Sequence, residues 1–355
     1  MTLIATANRM VERIPIPDAV TRFGIDVMVG RTRRRLARLP DRVEGEFARA
    51  MADYPVAVHT ADANAQHYEL PADFFGLVLG PHRKYSCCLY PEGTETLAEA
   101  EARALAETAA HAGLADGQHI LELGCGWGSL TLFIAERFPA SRIVAVSNSA
   151  SQRRHILAAA AARGLGNIEV VTADMNDFST GLRFDRVVSV EMFEHMSNWP
   201  ALLARIRTWL TPEGRLFVHV FTHRRSPYRF DHGRRDDWIA RYFFTGGIMP
   251  SAGLIRNFSD QFEVEADWCW DGGNYARTAE HWLENFDANR DRIDPIFARI
   301  YGPDAALWGR RWRLFFLATA GLFGHDRGRE WAVHHYRLRP SREPVLSDRG
   351  APRSG

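Results

Sequence analysis

Ile120-Leu-Glu-Leu-Gly-Cys-Gly-Trp-Gly-Ser129 decides how this chain is read. An apolar run passes through an acid, Glu122, into three alternating glycines, Gly124, Gly126 and Gly128, and then into an amphipathic helix over 130–138. Glycines so spaced let the backbone turn tightly from strand to helix with no Cβ in the way of a ligand. The helix start behind the turn offers free N–H groups. A dinucleotide fingerprint spaces its glycines G-x-G-x-x-G, so that a pyrophosphate rests on the helix dipole. Here the spacing is G-x-G-x-G after a carboxylate, which suits a cationic or amine-bearing cofactor better than a polyanion.

Outward from this turn, strand and helix periods alternate, the sign of a parallel doubly wound sheet. Strands are expected at 119–123, 142–147, 168–172, 184–191 and 215–221, with helices over 149–163 and 199–210. Two more strands, 262–270 and 331–339, complete a seven-stranded, mostly parallel, Rossmann-like α/β sheet with helices on both faces. Two helices are expected over about 278–324. The chain divides into an N-terminal helical region (1–66), a lid and lead-in helix (67–112), a cofactor-binding core (113–223), a helical cap insertion (224–260), the C-terminal part of the core (261–340) and a polar tail expected to be disordered (341–355).

With 355 residues, 46% hydrophobic, the chain can bury a sizeable core. A net charge of +1 provides no global field for nucleic acid. Four cysteines without metal spacing or a disulfide framework point to a reduced, cytoplasmic setting and to no metal centre. No apolar run approaches the ~20 residues of a spanning helix. The one basic run, 31–38, reads as a solvated helix face, and contact with a membrane surface is the less favoured alternative. Assembly into a dimer is compatible with all of this.

Ligands of such sheets bind beyond the carboxyl ends of the strands. The second strand ends in Ser147 and Asn148, with Gln152 close behind, groups able to hold ribose hydroxyls by neutral hydrogen bonds. At the third, Asp174 could accept from an adenine amino group and Met175 could pack on the ring. The fourth ends Glu191-Met-Phe-Glu-His-Met196, two carboxylates and an imidazole whose crowding should push at least one acid upward. His219, in an apolar strand, reads either as a satisfied core histidine or as part of the site.

The glycine turn resembles the first motif of class I S-adenosylmethionine-dependent methyltransferases. Residues from about 60 to 340 resemble the cyclopropane-fatty-acid-synthase superfamily, and within it the coclaurine N-methyltransferase branch. The carrying motifs are Lys84-Tyr-Ser-Cys-Cys88, the glycine turn, Glu191-Met-Phe-Glu-His-Met196, Arg241-Tyr-Phe-Phe-Thr-Gly-Gly-Ile-Met-Pro-Ser251 and Asn274-Tyr-Ala-Arg-Thr278. The resemblance implies that Tyr85, Ser86, Gly124, Ser147, Asn148, Gln152, Met175 and Asn176 touch S-adenosylmethionine, joined in our reading by Glu122, Gly126, Gly128 and Asp174. In the N-methyltransferase branch Glu191, Glu194 and His195 would work on the amine; in cyclopropane synthases a bicarbonate base would be held by Cys87, Glu194, His219 and Tyr275. Many such synthases have glycine where Glu191 stands, which favours an amine acceptor here.

The expected reaction is therefore methyl transfer to a small amine, with His195 oriented by Glu194 and with Glu191 steadying the cation. Tyr68, Phe74, Phe75, Tyr242, Phe243 and Phe244 would exclude water from the acceptor. Methylene transfer to an unsaturated lipid and a non-catalytic S-adenosylmethionine-binding module are the alternatives.

Overall fold

The computed structural model describes residues 16–58, 70–233 and 237–341. Residues 1–15, the lid segment 59–69 with Tyr68, and the tail beyond Ser341 lie outside the described residues. The helices preceding the sheet are α1 (Asp18–Leu36), α2 (Arg42–Ala50), α3 (Ala72–Val78) and α4 (Leu97–Ala112). The core then runs β1 (His119–Leu123), α5 (Ser129–Arg137), β2 (Arg142–Ser147), α6 (Ala150–Ala162), β3 (Ile168–Thr172), β4 (Phe184–Val190), α7 (Trp199–Trp209) and β5 (Leu210–His223). After the cap come β8 (Phe262–Asp271), α9 (Gly272–Ala288), α10 (Arg290–Tyr301), α11 (Ala305–Gly324) and β9 (Trp331–Pro340).

Among the described residues the main sheet has seven strands in the order β3-β2-β1-β4-β5-β9-β8. The first five are parallel; β9 is antiparallel to both β5 and β8. The period of two sorts the strand residues. Ile120, Ile143, Val188 and Phe217 pack with Leu105 of α4 and Leu130 and Ile134 of α5. Leu121, Val187, Leu216 and Val218 face the other way, onto Leu202 and Ile206 of α7. A third apolar mass, built from α3, α9, α10 and α11, centres on Phe74, Phe286, Phe297, Trp312 and Phe316.

Local chemistry fixes several ends. Thr96 and Glu99 close a reciprocal capping box at the start of α4, and Gly113 ends that helix in the left-handed region. Where two helices were expected over 278–324 there are three, and the first begins earlier, directly from β8. The Gly272-Gly273 pair reads as a breaker, yet the Asp271 carboxylate caps the helix by accepting the Gly273 N–H at 2.8 Å. The cap also departs from expectation. Among its described residues only α8 (Trp238–Tyr242) is α-helical; the rest includes a two-stranded β6 (Tyr228–Arg229) and β7 (Ile248–Met249) and a 3-10 turn at Leu254–Phe258. Pro227, Gly246-Gly247 and Pro250 interrupt any longer helical period.

The basic run begins on the last turns of α1 and ends at Arg38, just beyond it. Arg31, Arg34, Arg35 and Arg38 are exposed, while Arg33 pairs with Glu330 at 3.2 Å and Asp326 at 3.3 Å. No helix among the described residues is long and apolar enough to cross a membrane.

The turn after β1 is a constrained place. Gly124 and Gly128 have φ of +80° and +82°. A Cβ at Gly124 would lie 2.6 Å from Met192 Cγ, and one at Gly128 2.6 Å from Ile156 Cγ1. Thr131 Oγ1, one helical turn on, donates to buried Glu122 at 2.5 Å. Burial nevertheless pushes Glu122 from 4.5 to about 8. The folded chain therefore holds a proton there that the unfolded chain releases at lower pH. That stabilising contribution is complete below pH 4.5 and is lost as pH rises through about 8. The ligand-free protein should lose melting temperature between pH 5 and 8, and Glu122→Gln, followed by calorimetry, should flatten the fall.

Candidate active site

Two cavities meet beyond the carboxyl ends of β1, β2 and β4. The larger encloses about 170 Å³ and the smaller about 80 Å³, and Gly124, Gly126, Gln152 and His195 line both. The smaller lobe is walled by Ser147, Asn148, Asp174 and Met175. The larger carries Tyr85, Ser86, Glu122, Glu191 and Tyr275.

Ten of the twelve residues expected to hold the cofactor thus line one continuous site. The other two stand behind it. Gly128 is packed against Ile156, and both ends of the Asn176 amide are engaged by the Ala57 backbone at 3.0 Å. That clamp sets Ala57 and Val58 on the wall of the smaller lobe. Three features fit a polar, adenosine-bearing ligand. Gln152 Nε2, Ser129 Oγ and Trp127 Nε1 are buried without a hydrogen-bond partner, and such atoms are normally satisfied. A Cβ at Gly126 would meet nothing within 4 Å, leaving room for close approach. Ser147 Oγ donates to Gln152 Oε1 at 2.6 Å, fixing the amide so that Nε2 is the end left open. S-adenosylmethionine, when bound, supplies an electrophilic methyl group beside this wall.

Across from the glycine turn stands Glu191, in the left-handed region at φ +47°. Such a conformation costs a non-glycine residue of order 1–3 kcal/mol and persists where surrounding contacts impose it. Those contacts are present. Tyr275 Oη donates to Oε2 at 2.6 Å and the Cys87 N–H donates to Oε1 at 2.9 Å. His219 Nε2 lies 3.2 Å from the same Oε1. Burial raises Glu191, while Lys84, the Cys87 N–H and Tyr275 oppose it. Glu194 is driven much further up, by burial first and by Glu191 second. Both acids are thus raised, Glu194 the further of the two, the asymmetry that crowding imposes on neighbouring carboxyls. Burial and Lys84 keep His219 neutral; burial and Glu191 keep the Tyr275 hydroxyl protonated.

Of the expected catalytic groups, Glu191, His195 and Tyr275 face the cavity. The 3-10 turn Phe193–His195 sends its neighbours apart. His195 packs on Phe244, ring centres 4.5 Å apart. Glu194 turns inward, where Oε1 accepts the Phe221 N–H at 2.7 Å and Oε2 has no partner. Glu194 therefore braces β5 rather than His195. Cys87 is also behind the wall. Its thiol, raised by burial, donates to Cys88 O at 3.2 Å, and its contribution is the backbone N–H. The donors that a bicarbonate ion would use, Cys87, His219 and Tyr275, all close on the Glu191 carboxylate. Bicarbonate does not fit this cage.

The expected aromatic wall is only partly the real one. Phe244 lines the cavity. Phe74 and Phe75 are buried in the helical mass, with Phe75 supporting Tyr85 at 5.2 Å and Trp127 at 4.8 Å. Phe243 stacks on Phe315 at 4.5 Å, and Tyr242 lies beneath Arg311 at 3.9 Å. These rings form the packed layer behind the wall, one shell further from the ligand than expected. Unanticipated members of the wall are Phe221, Phe230, Trp282, Phe315 and Phe323. The stripe Phe315, Thr319, Leu322 and Phe323 was legible as one helix face, but nothing local told which cavity it would meet.

Lys84 is the other omission, a buried lysine at the edge of the cavity whose Nζ donates to Ser86 Oγ at 2.6 Å and Cys87 O at 2.5 Å.

The pattern of the mycolic acid cyclopropane synthetase family matches residues 57–327. An (S)-coclaurine N-methyltransferase from Thalictrum flavum subsp. glaucum is 37% identical over 285 residues, 79% of each chain. A cyclopropane-fatty-acyl-phospholipid synthase from Escherichia coli K12 is 32% identical over 270 residues, 76% of this chain and 66% of the synthase. A crystal structure of coclaurine N-methyltransferase bound to N-methylheliamine and S-adenosylhomocysteine superposes with a TM-score of 0.91 at 31% identity, covering 95% of this chain and all of that one. With the family pattern spanning most of the described residues, and relatives at 30% identity or more over three quarters of the chain, this chain belongs to the mycolic acid cyclopropane synthetase family of S-adenosylmethionine-dependent methyltransferases.

Proposed function

We propose that the chain methylates the nitrogen of a small secondary or tertiary amine with an aromatic body. The observation carrying this reading is the fixed Glu191 carboxylate, which with half-buried His195 faces a cavity walled by aromatic rings. A negative charge held where an ammonium develops stabilises that charge as it forms. The rings of Phe244, Tyr275 and Phe323 can attract a cationic nitrogen through their faces. The similarity to an enzyme that methylates (S)-coclaurine supports the same class of acceptor.

Only the neutral amine has the lone pair that attacks the methyl carbon. As the N–CH3 bond forms and the S–CH3 bond breaks, a secondary amine gives its N–H proton to an imidazole nitrogen of His195 and leaves as a neutral tertiary amine. A tertiary amine has no such proton and leaves as a quaternary ammonium whose charge Glu191 holds. The wall excludes water, and alignment of nitrogen with methyl carbon supplies much of the rate. Tyr275 and the Cys87 N–H keep Glu191 from turning toward its neighbours. Four free thiols, three of them buried, fit a reducing cytoplasmic setting.

His195→Ala should lower turnover by about 10²-fold or more, the usual share of a general base, while calorimetry shows S-adenosylhomocysteine binding within a few-fold of the parent. Normal turnover in that variant would remove His195 from the mechanism. The acceptor class is tested by S-adenosylhomocysteine release with a panel of aryl-bearing amines against vesicles of unsaturated phospholipid. We expect release with amines; release with vesicles alone would overturn the reading.

A further inference from the structure

The motif Lys84-Tyr-Ser-Cys-Cys88 contributes Tyr85 and Ser86 to the cavity and the Cys87 N–H to Glu191, yet its lysine has had no role. Lysine is almost never fully buried unless paired, and Lys84 is 2% exposed. No carboxylate among the described residues lies within ion-pair distance of its ammonium. Instead Nζ closes back on its own loop, at Ser86 Oγ and Cys87 O, leaving one of three donors uncommitted at the cavity edge. The backbone beneath it is anchored separately, because the His82 and Lys84 N–H groups donate to the two oxygens of buried Glu101 at 2.8 and 3.1 Å. A purely structural loop would need no buried cation here; a hydroxyl or an amide could satisfy the same two acceptors.

We propose that Lys84 is a positioning residue, whose buried ammonium is the counter-charge to Glu191 and whose two hydrogen bonds hold the Cys87 N–H against that carboxylate. The two functions coincide in one side chain because the loop that carries it both lines the cavity and reaches the Glu191 carboxylate. Tyr85 and Ser86 line the same lobe as Glu191, and the Cys87 N–H donates to that carboxylate. The groups that bond to Glu191 or act on it by charge are Cys87, His219 and Tyr275 by hydrogen bond and Lys84 and Glu194 by charge. Of these His219 is neutral, Cys87, Tyr275 and Glu194 are held in their protonated, uncharged forms, and Lys84 supplies the positive charge. Its field also bears on His219 and on buried His335 in the same direction, against protonation. One buried cation thus favours a charged carboxylate and neutral imidazoles together.

The proposal rests on the assigned importance of Glu191 but not on the identity of the acceptor, so the test reads Glu191 directly. The carboxyl is titrated by infrared difference between each protein and its Glu191→Gln counterpart, with S-adenosylhomocysteine bound and no acceptor present. In Lys84→Met, and in Lys84→Gln, which retains a polar head without the charge, the Glu191 midpoint should rise by about one pH unit or more, a tenfold change in proton affinity. The low-pH limb of kcat/KM for any acceptor found active should move by the same amount, and Glu191→Gln should abolish that movement. An unchanged midpoint in a folded variant that binds S-adenosylhomocysteine overturns the assignment, whichever acceptor proves correct. A shifted midpoint with an unchanged kcat/KM limb keeps Lys84 as the counter-charge and counts against the role given to Glu191 in catalysis.

Discussion

A single carboxylate, held against its own backbone preference, organises this site. Glu191 follows directly on β4 with φ at +47°, and Tyr275, the Cys87 N–H and His219 converge on its two oxygens. Each partner comes from a different part of the chain. Tyr275 stands on the first turn of α9, Cys87 on the loop before α4, and His219 on β5 directly opposite Val190 of β4. The strain is sustained because removing the carboxylate would leave those buried donors unsatisfied, at about 1–3 kcal/mol each. Much of the surrounding architecture can be understood as fixing those three partners in place.

The β/α core explains how the second requirement, a bound methyl donor, meets that carboxylate. β1 and β4 are adjacent and parallel, so the turn at Gly124 and the residue after Val190 emerge side by side. Met192 packs where a Cβ on Gly124 would otherwise stand, which ties the glycine turn to the acidic segment. A larger residue at 124 would separate the two halves of the site.

What the sequence made legible follows from how local each signal is. The glycine turn, the strand ends at Ser147 and Asp174, and the acid–histidine cluster are contiguous patterns, and the structure brings them to one cavity. The upward push on Glu191 and Glu194 was also foreseeable, because two acids three residues apart at a buried strand end cannot both ionise freely. Which acid faced the ligand was not, since it depends on the 3-10 turn that points Glu194 at the Phe221 N–H. Phe74 and Phe243 failed as wall residues for a similar reason: aromatic density predicts packing, but the layer a ring occupies is set by α10 and α11 far along the chain. Lys84 escaped notice because a lone lysine gives no periodic signal, and only its burial marks it.

Both an N-methyltransferase and a lipid cyclopropane synthase are similar to this chain, so fold and methyl donor do not by themselves choose the acceptor. In our account that choice is made by Glu191, whose side chain fills a cage of donors that a free anion would otherwise need. The most direct measurement is a crystal structure with S-adenosylhomocysteine and a tightly bound amine from the active panel. The account predicts the amine nitrogen in the larger lobe, facing the Glu191 carboxylate and within hydrogen-bond reach, about 3 Å, of His195. A nitrogen bound away from both residues, or a Glu191 side chain released from Tyr275 and Cys87 when the ligands are present, would contradict it.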